Sequence, residues 1–194
     1  MEFIEQLNDY DFQFKFIITG LSDTGKTCLI DRIDCYNDYS KFIDCHKNIM
    51  HTIGVDFKIF FIKYKNKFIK IIFWDTSGDT SDETLVSSYF RGSHAFILCY
   101  DANDRDSFNY IKNKLSEIKN IGHNPICALI INKYDIKVNK YNKNIVSDEE
   151  ALEFADKNDI IFRHISSIEK NENGIINLFE SILDKVLNKE RSRR

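Results

Sequence analysis

The sequence predicts an α/β fold, an open and mostly parallel sheet of six strands with one antiparallel edge and helices on both faces. Three observations predict it. Short apolar runs alternate with helix-period segments along the whole 194 residues, which is the order expected of βαβ units around a parallel sheet. One of these runs ends directly in a glycine-containing loop that opens a helix. Two β-rich runs, 56–64 and 68–75, are separated only by the polar Lys65-Asn66-Lys67, which reads as a hairpin and supplies the antiparallel edge.

Taken in order, the first strand is Phe14-Lys15-Phe16-Ile17-Ile18-Thr19, stopping at Gly20, and a helix is expected from Lys26. A polar segment carrying Cys35, Cys45, His46 and His51 then runs towards the hairpin. Its Cys/His spacing fits no standard zinc pattern, so a mobile loop is expected there. Beyond the hairpin, the runs 94–100, 126–131 and 160–165 are short and apolar enough to be buried on both faces. Between them Phe108, Ile111, Leu115 and Ile118 recur at helical spacing behind a capping Asp104. Ser147-Asp148-Glu149-Glu150 reads as a capping box before Leu152 and Phe154. The last helix places Ile175, Ile176, Phe179, Ile182, Leu183 and Val186 on one face, a core-packing stripe. The Asn- and Lys-rich stretch 137–144 has no apolar period and is expected as a surface loop. His94, His123 and His164 read as structural or surface residues, and no internal repeat is found.

Composition bounds the rest. A chain of this length with 43% hydrophobic residues is expected to form one domain spanning 1–194, with a basic end at 189–194. A net charge of -3 from 27 basic and 30 acidic residues, mixed along the chain, argues against nucleic acid as a partner. The five cysteines, Cys28, Cys35, Cys45, Cys99 and Cys127, form no framework and are expected to be free thiols in a reducing compartment. No run approaches the roughly 20 apolar residues of a membrane span, so the expected location is the cytoplasm, with peripheral membrane attachment left open.

The chemistry begins at Gly20-Leu21-Ser22-Asp23-Thr24-Gly25-Lys26-Thr27, which fits G-x-x-x-x-G-K-[ST] in the strand–loop–helix context that pattern requires. The glycines let the backbone curl so that N–H groups from Asp23 to Cys28 point at phosphate oxygens, and the helix N-terminus adds its positive end. Lys26 is expected at the β- and γ-phosphates, and the Thr27 hydroxyl on Mg²⁺. Asp75 closes the strand Ile71-Ile72-Phe73-Trp74-Asp75 at the carboxyl end of the sheet, where a carboxylate can serve the metal. Gly78, just after it, can bring its N–H to a γ-phosphate without side-chain obstruction.

Asn132-Lys133-Tyr134-Asp135 follows the strand 126–131. The N-K-x-D pattern at that place resembles the guanine-reading motif of Ras-like GTPases. One carboxylate, Asp135, can accept from both the N1–H and the exocyclic N2–H₂ of guanine, a donor pair that adenine lacks. The resemblance implies that Asn132 braces the neighbouring loops, that the aliphatic stem of Lys133 lies on the base plane, and that Ser167 and Ile168 stand in the family's short Ser-Ala-Lys loop, the lysine being replaced.

Further matches resemble the Rab family in particular. Thr52-Ile53-Gly54-Val55-Asp56-Phe57 is similar to the Rab switch I, and Tyr89-Phe90-Arg91-Gly92-Ser93 to the Rab Tyr-Tyr-Arg-Gly segment. The resemblance covers nearly the whole chain. It implies a guanine-nucleotide switch that hydrolyses GTP and regulates vesicle traffic. In it Thr52 would complete the Mg²⁺ shell when the γ-phosphate is present, and Ile53, Gly54, Phe57, Trp74 and Tyr89 would face effectors. Exchange factors and GTPase-activating proteins are the other implied partners.

The departures are as informative. Where the family reads Asp-Thr-Ala-Gly-Gln, this chain has Asp75-Thr76-Ser77-Gly78-Asp79, so an anionic Asp79 replaces the glutamine that orients the attacking water. Slow intrinsic hydrolysis is expected, and a hydrolysis-poor, GTP-bound interaction module is the alternative. The segment 34–51 is several residues longer than the usual approach to switch I. Thr80-Ser81-Asp82-Glu83 lacks the family's Glu-Arg-Phe, which puts recognition by the usual regulators in doubt. No cysteine follows Cys127, and the residue next to Met1 is Glu2 rather than glycine, so either a lipidated tail lies beyond Arg194 or the protein carries no lipid of its own. An ATP-dependent kinase is disfavoured by Asn132 to Asp135 and by the lack of an Arg-rich lid.

Overall fold

A computed structural model of the chain describes residues 1–4, 7–36, 38–46, 51–79, 81, 88–121, 123–133, 145–168 and 173–193. Asp135, the 137–144 stretch and most of the segment after Asp79 lie outside these residues. Among the described residues the strands are β1 (Glu2–Ile4), β2 (Phe12–Thr19), β3 (Val55–Tyr64), β4 (Lys67–Thr76), β5 (Ala95–Asp101), β6 (Ile126–Asn132) and β7 (Ile161–His164). The helices are α1 (Lys26–Asp34), α2 (Tyr39–His46), α3 (Arg105–Lys119), α4 (Asp148–Asn158) and α5 (Asn173–Arg193).

The strands form one sheet in the order β1-β3-β4-β2-β5-β6-β7. From β4 to β7 every neighbouring pair is parallel, and β3 runs antiparallel to β4. The β3–β4 hairpin turns through Lys65 and Asn66, both at positive φ (48° and 59°). Two left-handed residues are what a turn needs to match the twist of the flanking strands.

Period-2 alternation sorts each central strand onto two cores. Phe14, Phe16 and Ile18 of β2 face one side, where Leu29, Ile30 and Ile33 of α1 and Leu178, Phe179, Ile182 and Leu183 of α5 cover them. Ile17 faces the other side with Phe96, Leu98 and Tyr100 of β5, under Phe108, Ile111, Leu115 and Ile118 of α3 and Ala151 and Ala155 of α4. Each large apolar side chain so buried contributes about 1.5–3 kcal/mol before chain entropy is counted. Both caps form, but Ser147 makes only its own half of the expected capping box, since the Glu150 carboxylate pairs with Arg105 instead of turning back. Asp104 Oδ1 accepts from the Asp106 N–H at 3.0 Å and Ser147 Oγ from the Glu150 N–H at 3.2 Å.

Two expectations are corrected. The sheet has seven strands rather than six, because Glu2–Ile4 pairs antiparallel with β3, Phe3 opposite Ile62. Three residues carry no readable period; what fixes this strand is tertiary, the Phe3 ring lying 4.7 Å from Tyr36, 6.4 Å from Phe60 and 6.1 Å from Phe179. The segment after α1, expected as a mobile loop, contains the helix α2. Tyr39, Phe42 and Ile43 fall at i, i+3 and i+4 and rest on Cys28 and Cys35, with Phe42 wholly buried. Asp38 caps this helix through its Oδ1, which accepts from the Lys41 N–H at 3.0 Å. Cys28, Cys35, Cys99 and Cys127 are buried free thiols.

Candidate functional site

The parallel strands β2, β4, β5, β6 and β7 all end on one side, and the loops that leave those ends converge. The loop after β2 turns at Gly25, whose φ of 84° suits glycine and whose added Cβ would lie 2.3 Å from Asn132 Nδ2. Within it, Thr24 Oγ1 donates to the Leu21 carbonyl at 2.8 Å and Lys26 Nζ donates to the same carbonyl at 2.9 Å. Burial lowers the Lys26 ammonium below the usual lysine range, an effect that the Asp75 and Asp23 carboxylates oppose. Asp23 itself is exposed at the rim of the loop in the left-handed region, φ 63°.

Three oxygens gather beneath this loop. Thr27 at the start of α1 donates to Asp75 Oδ2 at 2.7 Å, and Thr52 lies 2.8 Å from Thr27 and 3.2 Å from the same carboxylate oxygen. Asp75 is only 6% exposed, and its second oxygen, Oδ1, is buried with no hydrogen-bond partner among the described residues. Burial pushes the Asp75 carboxyl up, against the Thr27 hydrogen bond and the Lys26 charge. A buried carboxylate with a spare oxygen beside two hydroxyls is a hard-oxygen donor set, the kind that suits a Mg²⁺ held jointly with phosphate. The residues therefore fit the metal. They also fit a phosphate, since Lys26 and the N-terminus of α1 lie beside it.

Gly78 closes this site from above. Its carbonyl accepts from the Ser22 N–H at 3.1 Å, and a Cβ added to it would sit 2.2 Å from Ser22 N and 2.6 Å from Lys26 Nζ. Ser77, next to it, donates its N–H to the Gly54 carbonyl at 2.7 Å, linking the two segments that follow Thr52 and Asp75. Asp79 turns back on its own segment. Its Oδ1 accepts from the Ser81 N–H at 2.9 Å, and that bond holds its carboxyl below the usual range, as an anion at neutral pH.

The opposite end is organised by Asn132, which is 2% exposed. Its Nδ2 donates to the Thr24 carbonyl at 3.1 Å and the Gly25 carbonyl at 3.0 Å, while its Oδ1 accepts from the Ser167 N–H at 3.3 Å and hydroxyl at 2.9 Å. Lys133, at φ 57°, places its Nζ 3.2 Å from Asp101 Oδ2. Asp135, the motif's carboxylate, lies outside the described residues. Cys28 turns its side chain into the small apolar cluster beneath α2, which leaves only its backbone for the phosphate side. No motif or spacing singles out Tyr39, whose hydroxyl donates to the Ile168 carbonyl at 2.6 Å.

On the outer face, Phe57, Trp74 and Tyr89 form a continuous aromatic surface, with ring centroids 5.7 Å apart for the first pair and 5.2 Å for the second. Lys15 Nζ stands 4.7 Å over the Trp74 ring. Phe57 is 55% exposed and Ile53 91%. Such an apolar cluster with a cation behind it has the composition of a protein-docking surface. No helix among the described residues is long and apolar enough to cross a membrane.

Comparison with known proteins agrees with this arrangement. The model of the Ras family matches residues 15–188. The GTP-binding protein YPT1 of Saccharomyces cerevisiae is 39% identical over 84% of this chain and 74% of its own length. The Ras-related protein RABD1 of Arabidopsis thaliana is 39% identical over 82% of this chain and 73% of its own. The GTP-binding protein YPTM2 of Zea mays is 38% identical over 82% and 73%. A phosphate loop, a buried Thr–Asp–Thr oxygen cluster and an Asn132 brace on a Ras-type sheet, in a chain this similar to Ypt and Rab proteins, place it in the Ras family as a Rab-like small GTPase.

Proposed function

We propose that this chain, as one G domain spanning residues 1–194, binds guanine nucleotide with Mg²⁺ and works as a Rab-type switch in vesicle traffic, hydrolysing GTP slowly. The observation that carries the reading is the cluster of Thr27, Thr52 and Asp75, a metal donor set assembled under a phosphate loop. Mg²⁺, when bound, neutralises charge on the β- and γ-phosphates. Thr27, Thr52 and Asp75 would hold it. Lys26 stabilises negative charge on the transferring phosphoryl group, and the backbone from Asp23 to Cys28 positions the phosphates. Asn132 fixes the phosphate loop to the base loop, and Asp135 is assigned to the guanine edge by its place in the motif. Ser167 and Ile168 line the base loop, and Lys133 contributes its aliphatic stem.

Switching would follow from Thr52 and Gly78, which the γ-phosphate draws onto the site and whose release frees two segments. Ile53, Gly54, Phe57, Trp74 and Tyr89 are the proposed effector surface; exchange factors and GTPase-activating proteins are the proposed regulators. Peripheral association with cytoplasmic membranes accords with that role.

Titration of the purified protein with guanosine and adenosine diphosphates, with and without Mg²⁺, tests the reading. A strong, Mg²⁺-dependent preference for the guanosine form is expected, and equal or absent binding would refute it. A specific observation also favours the hydrolysis-poor variant of this function. The Asp79 carboxylate is ionised and bonded to its own loop, so it is poorly suited to orient a water beside an anionic phosphate. Single-turnover hydrolysis should speed up in Asp79→Gln by about tenfold, the worth of one net hydrogen bond that orients the attacking water in the transition state; equal rates in the two proteins would remove Asp79 from the explanation.

A further inference from the structure

The peptide between Gly78 and Asp79 is bonded at both of its ends. Its carbonyl, that of Gly78, accepts from the Ser22 N–H of the phosphate loop at 3.1 Å. Its N–H, that of Asp79, donates to the Ser77 hydroxyl at 3.1 Å. Ser77 is itself fixed, being 5% exposed and donating its own N–H to the Gly54 carbonyl at 2.7 Å. The hold continues into the next turn, where Asp79 Oδ1 accepts from the Ser81 N–H at 2.9 Å. The doubly bonded peptide stands at the phosphate end of the site, since a Cβ built on Gly78 would fall 2.6 Å from Lys26 Nζ. A carbonyl oxygen is the negative end of the peptide dipole, so in this setting the peptide turns the wrong sign of charge towards an arriving γ-phosphate.

From this we infer that the Ser77 hydroxyl is a specificity determinant, which holds the Gly78–Asp79 peptide against the phosphate loop and so favours guanosine diphosphate over triphosphate. The inference rests on the guanine-nucleotide reading of the site. A γ-phosphate is met by N–H donors rather than carbonyls, so the peptide must turn to admit it, and turning breaks both of its bonds. The bond to Ser22 joins two main-chain atoms and would form whatever the side chains. The bond to Ser77 needs a hydroxyl. Alanine, which the Asp-Thr-Ala-Gly-Gln pattern of the family has at this place, offers no acceptor, so the second tie belongs to this chain. A bond present in one of two conformations weakens the ligand that requires the other and leaves an indifferent ligand where it was. Ser77 acts through the main chain of Asp79 and is a positioning residue.

Ser77→Ala removes the acceptor and leaves the main chain unaltered. Calorimetric titration in excess Mg²⁺ compares guanosine diphosphate with the non-hydrolysable β,γ-imido analogue of guanosine triphosphate, on the unmodified protein, Ser77→Ala and Ser77→Thr. In Ser77→Ala the ratio of triphosphate-analogue to diphosphate affinity should rise about threefold to tenfold, the worth of one net hydrogen bond, with the diphosphate constant moving much less. Ser77→Thr keeps a hydroxyl and should keep the ratio of the unmodified protein. An unchanged ratio in Ser77→Ala would overturn the inference, and so would equal losses for both nucleotides, which mark a damaged site. A threonine variant that shifts as far as the alanine one would overturn it as well, because the hydroxyl would then not be the cause. If the unmodified protein bound neither nucleotide, the proposed function itself would fall and this inference with it, an outcome distinct from the other three.

Discussion

Replacing Asn132 probes the organisation of the site most directly, because one side chain there joins three loops. In Asn132→Ala four hydrogen bonds disappear. The carbonyls that lose Nδ2 each keep another partner, Thr24 the Cys99 thiol at 3.1 Å and Gly25 the Leu29 N–H at 3.0 Å. The Ser167 N–H and hydroxyl lose the acceptor they share in a buried place. Counting about 0.5 kcal/mol for each carbonyl and about 1 kcal/mol for each Ser167 donor gives a loss of roughly 3 kcal/mol. Asn132→Asp should be worse despite its closer shape. A carboxylate cannot donate, so it would set a negative oxygen about 3 Å from two carbonyl oxygens in a site closed to water. Urea unfolding of the nucleotide-free proteins reads the stability, and nucleotide release reads the loop. Alanine should lower stability by about 3 kcal/mol and speed release at least tenfold, roughly, with aspartate exceeding alanine on both scales. An Asn132→Asp protein as stable as the unmodified one would show that the amide does not bridge these loops.

Two further outcomes follow from the same geometry. Gly78→Ala drives a Cβ to 2.2 Å from Ser22 N and 2.5 Å from Leu21 C, backbone atoms that cannot swing aside. Calorimetric titration should find affinity for a non-hydrolysable guanosine triphosphate analogue reduced at least about tenfold, with the diphosphate much less affected; parity between the two ligands would contradict closure through Gly78. Glu150 forms a two-pronged pair with Arg105 at 2.8 and 2.9 Å, and the guanidinium holds its carboxyl below the usual range. A lowered folded-state value means that the pair stabilises above the ordinary glutamate range and loses that contribution as pH falls through the lowered value. At about one-third exposure the contribution stays below about 1 kcal/mol, so urea midpoints of the unmodified protein and Glu150→Gln should differ at pH 7 and converge towards pH 3, whereas a constant gap would assign the difference to something other than this ionisation.

What the sequence made legible was local. The phosphate loop, the hairpin at Lys65-Asn66, the caps at Asp104 and Ser147 and the paired apolar faces all rest on residues within a few positions of one another, and the structure has them where periodicity and turn chemistry put them. The misses are contacts whose partners lie far along the chain. β1 is too short to carry a period and is held by the rings of Tyr36, Phe60 and Phe179. α2 did have a readable signal, Asp38 as cap with Tyr39, Phe42 and Ile43 on one face, but in so polar a Cys- and His-bearing segment those three apolar residues are too few to stand out. In the site, Asn132 bonds to the phosphate loop and to Ser167, yet nothing local pairs Lys133 with Asp101 or Tyr39 with Ile168.

The anchoring of α2 bears on how the segment between α1 and β3 would respond to phosphate. Its first part is tied to α1 by Phe42, wholly buried against Cys28 and Cys35, and truncating such a ring costs about 3–5 kcal/mol. Thr52, at the far part, is held by hydroxyl contacts to Thr27 and Asp75, each worth about 1 kcal/mol net. The difference separates the segment into a fixed portion and a releasable one. Under the proposed function, loss of a γ-phosphate contact would free Thr52 without displacing α2, so the exposed Ile53 and Phe57 would change their setting while α2 stays in place. A substitution at Phe42 would then loosen α2, and one at Thr52 would release the residues that follow it, each without the other.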